Sequence, residues 1–322
     1  MAMITPLTKK DFNNILSEYN FGKHVSHEHL SMALSNTVFR LKTTRGKYIL
    51  KVFEVMGVRG GSTKFIRFQI RLTNALAEAG ANVAEVYKNK HGERITQYKG
   101  KNIAIIEFLE GTNFERTHNM RLIADLTKKV VQMHKVMLKL KFRGGDAREP
   151  NHQFKRHKLT AVVDGFSVQD KWDDYLKEAR QLDKTKLRRC IIHSDMTTDN
   201  FLVDGDKVTA IIDFDDSHWD FLTHDIGVLI YGLFVSSAGI YTKELKYFLR
   251  TYQKAIPLNN EEKKAVYYFA LARFLGTIKH GWDKRRLHPD KKASIEKWVR
   301  GKIKRYNNLR AIPVEEFVTW FD

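Results

Sequence analysis

Three side chains near the middle of the chain have types and spacing suited to phosphoryl transfer: Asp195, Asn200 and Asp213. Asp195 closes His193-Ser194-Asp195, Asn200 lies five residues further on, and Asp213 ends the apolar run that begins at Val208. Moving a γ-phosphoryl group from ATP asks little covalent chemistry of a protein; it asks for positioning and charge neutralisation. A carboxylate such as Asp195 can accept or orient the proton of an attacking hydroxyl. The amide oxygen of Asn200 and the carboxylate of Asp213 are hard oxygen donors of the kind Mg2+ takes, with phosphates completing its octahedron. The base must stand near the ion without ligating it, and the loop from Asp195 to Asn200 is long enough to turn back on itself.

Apolar runs flank that loop and predict the strands that hold it. Cys190-Ile191-Ile192 leads in, a short alternating segment follows Asn200, and Gly205-Asp206 makes a tight turn into Val208 to Ile212. Two ordinary strand ends with polar residues turned to water would look alike in the loop alone. The flanking strands and Ile211-Ile212-Asp213 after the hairpin favour the phosphotransfer pattern.

Upstream, Thr8 and Asp11 suggest a capped helix over 8–19, with Phe12, Ile15, Leu16 and Tyr19 at helical spacing. A hairpin is predicted from Thr37–Thr43, the turn Thr44-Arg45-Gly46, and Lys47–Phe53. Its alternation places Lys51 on the same face as Ile49 and Phe53, an unusual setting for a lysine and one suited to reaching ATP phosphates. A helix over 63–79 ends at Gly80, and further strands are expected at Val83–Lys88, Glu93–Tyr98 and Asn102–Phe108. Glu107 to Gly111 then reads equally as a strand exit into a loop or, in a two-lobed kinase, as the hinge whose backbone, around Glu107 and Leu109, would meet adenine. A long helix is expected over 118–140, a connector rich in charge, Gly and Pro over 141–168, and aromatic-faced helices over 242–321.

The residues from His193 to Asn200, Ile212-Asp213-Phe214-Asp215-Asp216, Asp220 and Asp225-Ile226 together resemble the aminoglycoside phosphotransferase and choline kinase superfamily. That resemblance implies an α+β, two-lobed protein-kinase-like fold: a small antiparallel-sheet lobe over 1–109 that binds nucleotide, and a mostly helical lobe over 110–322 with the catalytic and acceptor sites. It implies Asp195 as base, Asn200 and Asp213 on Mg2+, Lys51 on the phosphates, and Asp225 as a brace under the catalytic loop. No Gly-x-Gly-x-x-Gly loop precedes Lys51; Ser35-Asn36-Thr37 resembles the family's segment there and would cover phosphates instead. Protein kinases pair the strand lysine with a helix glutamate, but Gln69 occupies the position that lines up best, which leaves the partner of Lys51 open. Leu16 to Gly22, Asn36-Thr37 and the spacing to Gly80 are most similar to homoserine kinase-type members. Homoserine would need an acid for its ammonium, with Asp215 and Asp216 as candidates, and a cation for its carboxylate, sought in Arg143 to Lys158. Aminoglycoside, choline and sugar kinases remain as alternatives.

Composition bounds the rest. At 322 residues the chain has room for two cores, and no apolar run is long enough for a membrane span. No secretory signal is expected from the first residues, and the single cysteine, Cys190, excludes an internal disulfide and fits a reducing, cytoplasmic setting. The net charge of +19 raises nucleic-acid association as a rival class, and a catalytically dead nucleotide sensor is another, disfavoured because Asp195 and Asp213 are both present. Yet the basic clusters at 155–158, 283–286 and 302–310 are dispersed and lack interleaved aromatics, so a small hydroxyl substrate is the expected partner rather than nucleic acid.

Overall fold

A computed structural model describes residues 5–30, 36–54, 62–142 and 152–322. The chain forms two compact units: Met1–Gly111 with Thr209–Asp215, and Thr112–Val208 with Asp216–Asp322. Residues 209–215, which end in Asp213 and Asp215, therefore belong with the N-terminal part of the chain.

The first unit opens with helix α1 (Lys9–Leu16), started by a capping box in which Thr8 and Asp11 bond each other's backbone N–H groups. Strands β1 (His24–His29), β2 (Thr37–Thr43) and β3 (Gly46–Phe53) follow, then helix α2 (Thr63–Glu78), β4 (Thr96–Tyr98) and β5 (Lys101–Glu107). The five strands make one antiparallel sheet in the order β1-β2-β3-β5-β4. Alternation divides its faces. Phe39, Leu41, Leu50, Val52, Ile103 and Ile105 pack with Phe12, Ile15 and Leu16 of α1, while Phe53 and Ala104 pack with Ile66 and Ile70 of α2. Each such aliphatic or aromatic side chain contributes roughly 1.5–3 kcal/mol when fully buried. Lys51 is on the α2 face, opposite Ala104.

The β2–β3 hairpin and α2 stand where the spacing placed them, and Gly80 follows α2 at φ +76°. Two expectations need correction. Val83–Lys88 is not a strand but makes isolated bridges at Val83 to Ile211 and at Val86 to Ile106. Glu93–Tyr98 shrinks to β4, because the Asn89 side chain accepts from the N–H groups of His91 and Glu93 and holds that chain in a turn. Strand β1 was not anticipated: it is polar and mostly exposed, so it carries no burial pattern to read.

The second unit contains β6 (Thr112–Asn113), α3 (Met120–Met137), a two-stranded hairpin of β7 (Val162–Val163) and β8 (Phe166–Ser167), and α4 (Val168–Ala179). Then come β9 (Arg189–Ile192), β10 (Phe201–Asp204), β11 (Lys207–Ile211), which carries the chain into residues 209–215, β12 (His218–Phe221) and α5 (Leu222–Leu229). Helices α6 (Thr242–Ala255), α7 (Asn260–Leu287), α8 (Lys292–Arg310) and α9 (Val314–Thr319) complete it. Helix α7 is buried on every side over Ala265 to Ala272 and packs on α4, α5, α8 and α9, so it is the core around which the unit forms. Its contact with α5 is close: a Cβ on Gly227 would lie 2.8 Å from the Ala270 backbone N. Among the described residues no helix is long and apolar enough to cross a membrane.

Candidate active site

In the second unit, β9 pairs antiparallel with β12 and ends at Ile192, delivering His193-Ser194-Asp195 into a loop. Asp225, fully buried in α5, accepts from both backbone N–H groups at the bend: His193 N at 2.7 Å and Ser194 N at 2.6 Å. Burial opposes the charge on Asp225. The His134 ring, 3.3 Å away, and the His193 N–H outweigh burial and hold its pKa below the ordinary carboxylate range. His134 is fixed in turn by the Tyr252 hydroxyl at 2.8 Å. Asp225 is thus the brace that the sequence suggested. Ser194 sits at φ +70°, a conformation that costs a non-glycine residue of order 1–3 kcal/mol and recurs where a backbone must aim a functional side chain.

Asp195 follows that bend. Its carboxylate Oδ2 and its backbone carbonyl both accept from Asn200 Nδ2, at 2.9 and 2.7 Å. Both neighbours of the Asn200 NH2 are acceptors, so the amide orientation is determined and Oδ1 is the atom left for a cation. The other carboxylate oxygen of Asp195 accepts from Arg273 of α7 at 2.5 Å. Close packing holds the loop from behind, since a Cβ on Gly232 would lie 2.8 Å from the Met196 carbonyl oxygen.

In the first unit, Lys51 is half-buried and bonds Asp215 Oδ1 at 2.5 Å, with Asp213 Oδ1 at 4.0 Å. Burial alone would lower the lysine pKa, but the charges of Asp215 and Asp213 outweigh it and raise it. Asn36 donates to the second oxygen of Asp215 at 2.6 Å, while its own Oδ1 accepts from Glu54 N. Gln69 donates to the Asp215 carbonyl at 2.9 Å. The open question about Lys51 has its answer here: Asp215 pairs with it, and the helix residue Gln69 holds the Asp215 backbone. Asp215 is therefore occupied and is not an acid waiting for a substrate ammonium. Asp213 stands at φ +62° with its side chain about half exposed (51%), so its oxygens remain accessible.

Glu107 ends β5 opposite Tyr48; its N–H donates to the Glu85 carbonyl at 2.8 Å and its side chain accepts from Glu85 N. Leu109 follows, half-buried, beyond the strand. Ser35 lies outside the described residues, as does 143–151 of the connector in which a cation was sought. Arg156, within its described part, faces Asp173 at 3.7 Å. Arg273 had no local signal. It lies just past the buried run of α7, about eighty positions from the loop that it meets. Cys190 is buried, and burial pushes its thiol pKa upward, as suits packing rather than reactivity.

Asp213 in the first unit and Asn200 in the second each carry a hard oxygen donor of the kind Mg2+ takes. Residues 28–258 match the model of a family described as "Phosphotransferase enzyme family". A homoserine kinase of Bradyrhizobium diazoefficiens is 27% identical over 292 residues, covering 88% of this chain and 87% of that protein. One from Methylobacillus flagellatus is 26% identical, covering 82% of each. Among solved structures, an amicoumacin kinase in complex with AMP-PNP and Ca2+ superposes over 96% of this chain and 97% of its own, with TM-score 0.67 and 18% identity. A microcompartment-associated aminopropanol kinase gives 0.69 at 16% identity, over 96% and 98%. The α+β, kinase-like fold expected from the sequence is the fold they share.

Proposed function

This chain belongs to the phosphotransferase enzyme family and is a small-molecule kinase, and we propose that it transfers the γ-phosphoryl group of ATP to the hydroxyl of homoserine or a closely related amino alcohol. The observation that carries the chemistry is the Asp195 carboxylate, fixed by Asn200 on one oxygen and by Arg273 on the other. Homoserine as acceptor is supported by the relatives of that name, which align along most of the chain.

In this reading Lys51 contacts ATP phosphates, Asn36 and Ser35 lie over them, and the backbone around Glu107 and Leu109 meets adenine. Asn200 Oδ1 and the Asp213 carboxylate would hold Mg2+. When bound, the ion neutralises phosphate charge as the group transfers. Asp195 orients the acceptor hydroxyl and takes its proton as the new O–P bond forms and the bond to the departing ADP breaks. The Arg273 guanidinium holds the Asp195 carboxylate in its aim. Rigid placement matters more here than basicity, and Asp225 supplies it through the two N–H groups it holds.

The test is ATP turnover, with the phosphorylated product followed directly, on homoserine, choline and kanamycin side by side. Homoserine is expected to be turned over fastest. If choline or kanamycin exceeds it by about tenfold in kcat/KM, the acceptor assignment fails while the kinase assignment stands.

A further inference from the structure

Beside the catalytic loop stands positive charge that, among the described residues, Asp195 alone pairs as a carboxylate. Arg273 lies on Asp195 and has its guanidinium 5.7 Å from the centre of the Tyr231 ring. Lys302 of α8 bonds the Tyr231 hydroxyl at 2.7 Å and sits 4.5 Å from that ring's centre. Arg116 donates to the carbonyl of Gly232, the residue packed on the Met196 backbone of the loop. Arg305 is one helical turn beyond Lys302 on α8. Of these four cations only Arg273 has a carboxylate within ion-pair distance among the described residues, and that carboxylate is Asp195.

The energetics are unfavourable for a protein standing alone. Burial, and then the charge of Arg305, lowers the pKa of Arg116; burial, opposed by Tyr231 and reinforced by Arg305 and Arg116, lowers that of Lys302. Arg305 is lowered by burial as well. Asp199 and the Tyr241 phenol add only weak relief at Arg116. Among the described residues the Nε–H groups of Arg116, Arg273 and Arg305 are all buried without an acceptor. A buried donor left unsatisfied is costly, more so when charged, and here three stand near one loop.

We infer that Arg116, Arg273, Lys302 and Arg305 form a subsite for an anionic group on the acceptor molecule, a carboxylate or a phosphate, held beside Asp195 while the acceptor's hydroxyl is phosphorylated. This rests on the kinase reading above and narrows it. The acceptor carries negative charge at the end remote from the hydroxyl, and polycations such as aminoglycosides are repelled. Planar guanidinium forks suit both oxyanions.

The discriminating pair is homoserine and 3-aminopropan-1-ol, which differ only by the carboxylate. The wild-type protein should prefer homoserine in kcat/KM by at least roughly tenfold, the worth of one charge-assisted hydrogen bond. Arg305→Gln should erase most of that preference by raising the homoserine KM, with the KM for ATP within about twofold of wild type by the same reckoning. Because it removes an uncompensated cation, Arg305→Gln should leave the melting temperature unchanged or raised; a residue needed only for packing would lower it. Equal preference for the two alcohols in the wild type, or a preference that survives in both Arg305→Gln and Lys302→Met, overturns the subsite.

A calorimetric arm without ATP separates this from failure of the kinase reading. Glycolate and inorganic phosphate are titrated into wild type and into the double variant Lys302→Met/Arg305→Gln. Saturable binding lost in the double variant supports the subsite even if no alcohol is turned over, and the tighter probe tells carboxylate from phosphate. Absence of binding by both probes overturns it.

Discussion

The two acidic clusters of this protein are built on opposite principles. Around Lys51 every charge has its counterpart nearby: Asp215 takes the ammonium and the Asn36 amide, and Gln69 fixes its backbone. Around Asp195 the balance is reversed, with one carboxylate facing Arg273 and further cations that no carboxylate of the described residues pairs. A site with its own counter-ions is stable before anything binds. One with surplus positive charge is costly until an anion arrives. The first arrangement suits a donor that is the same in every cycle, whereas the second suits selection among acceptors.

The hardest blow to the Asp195 side of this comparison is Asp195→Asn. It should lower turnover by about 10²–10⁴-fold, the range for a general base, while Mg-ATP binding measured calorimetrically stays near wild type. Loss of nucleotide binding to the same degree would put Asp195 in the donor site instead.

Removing the brace tests rigidity rather than chemistry. Asp225→Ala leaves the N–H groups of His193 and Ser194 and the His134 ring without their acceptor, and should cost about 3–5 kcal/mol in chemical denaturation. In the wild type the pKa of Asp225 is held below its unfolded value. Its contribution is therefore fully present above about pH 4 and is lost as pH falls through the depressed folded value. The wild type should lose stability on acidification more steeply than Asp225→Asn; parallel pH profiles would contradict this assignment.

On the Lys51 side, Asp213→Ala should weaken ATP binding only when Mg2+ is present, because its exposed carboxylate is proposed to touch the ion and not the nucleotide. Titrations with and without a chelator decide it, and equal weakening in both would make Asp213 structural. The smallest effect is expected from Gln69→Leu, which removes one hydrogen bond to the Asp215 carbonyl. About 1 kcal/mol of stability and a modest rise in the KM for ATP should follow.

Much of the fold was legible wherever burial imposes a period. The β2–β3 hairpin, the Thr8 capping box and the Gly80 terminus follow from residue type and spacing alone. So did the strand-loop-hairpin run from Cys190 to Asp213, while the role of Asp225 came from the family resemblance. What escaped has a common cause: it depends on residues distant in sequence. Asp215 looked like a spare acid beside Asp213 until Lys51, Asn36 and Gln69 converged on it. Arg273 follows the buried apolar stretch of α7 by one residue, and a one-dimensional reading sought the acceptor's cation in the conspicuous basic connector instead. Strand β1 escaped for the opposite reason, because it buries almost nothing.

The return of residues 209–215 to the first unit bears on how the chain can be divided. A fragment ending at Gly111 carries the whole five-stranded sheet but neither Asp213 nor Asp215. Its Lys51 would keep its ammonium with both counter-ions left on the other piece. Cutting the chain at the boundary between strand and helical parts therefore divides an ion pair as well as the sequence.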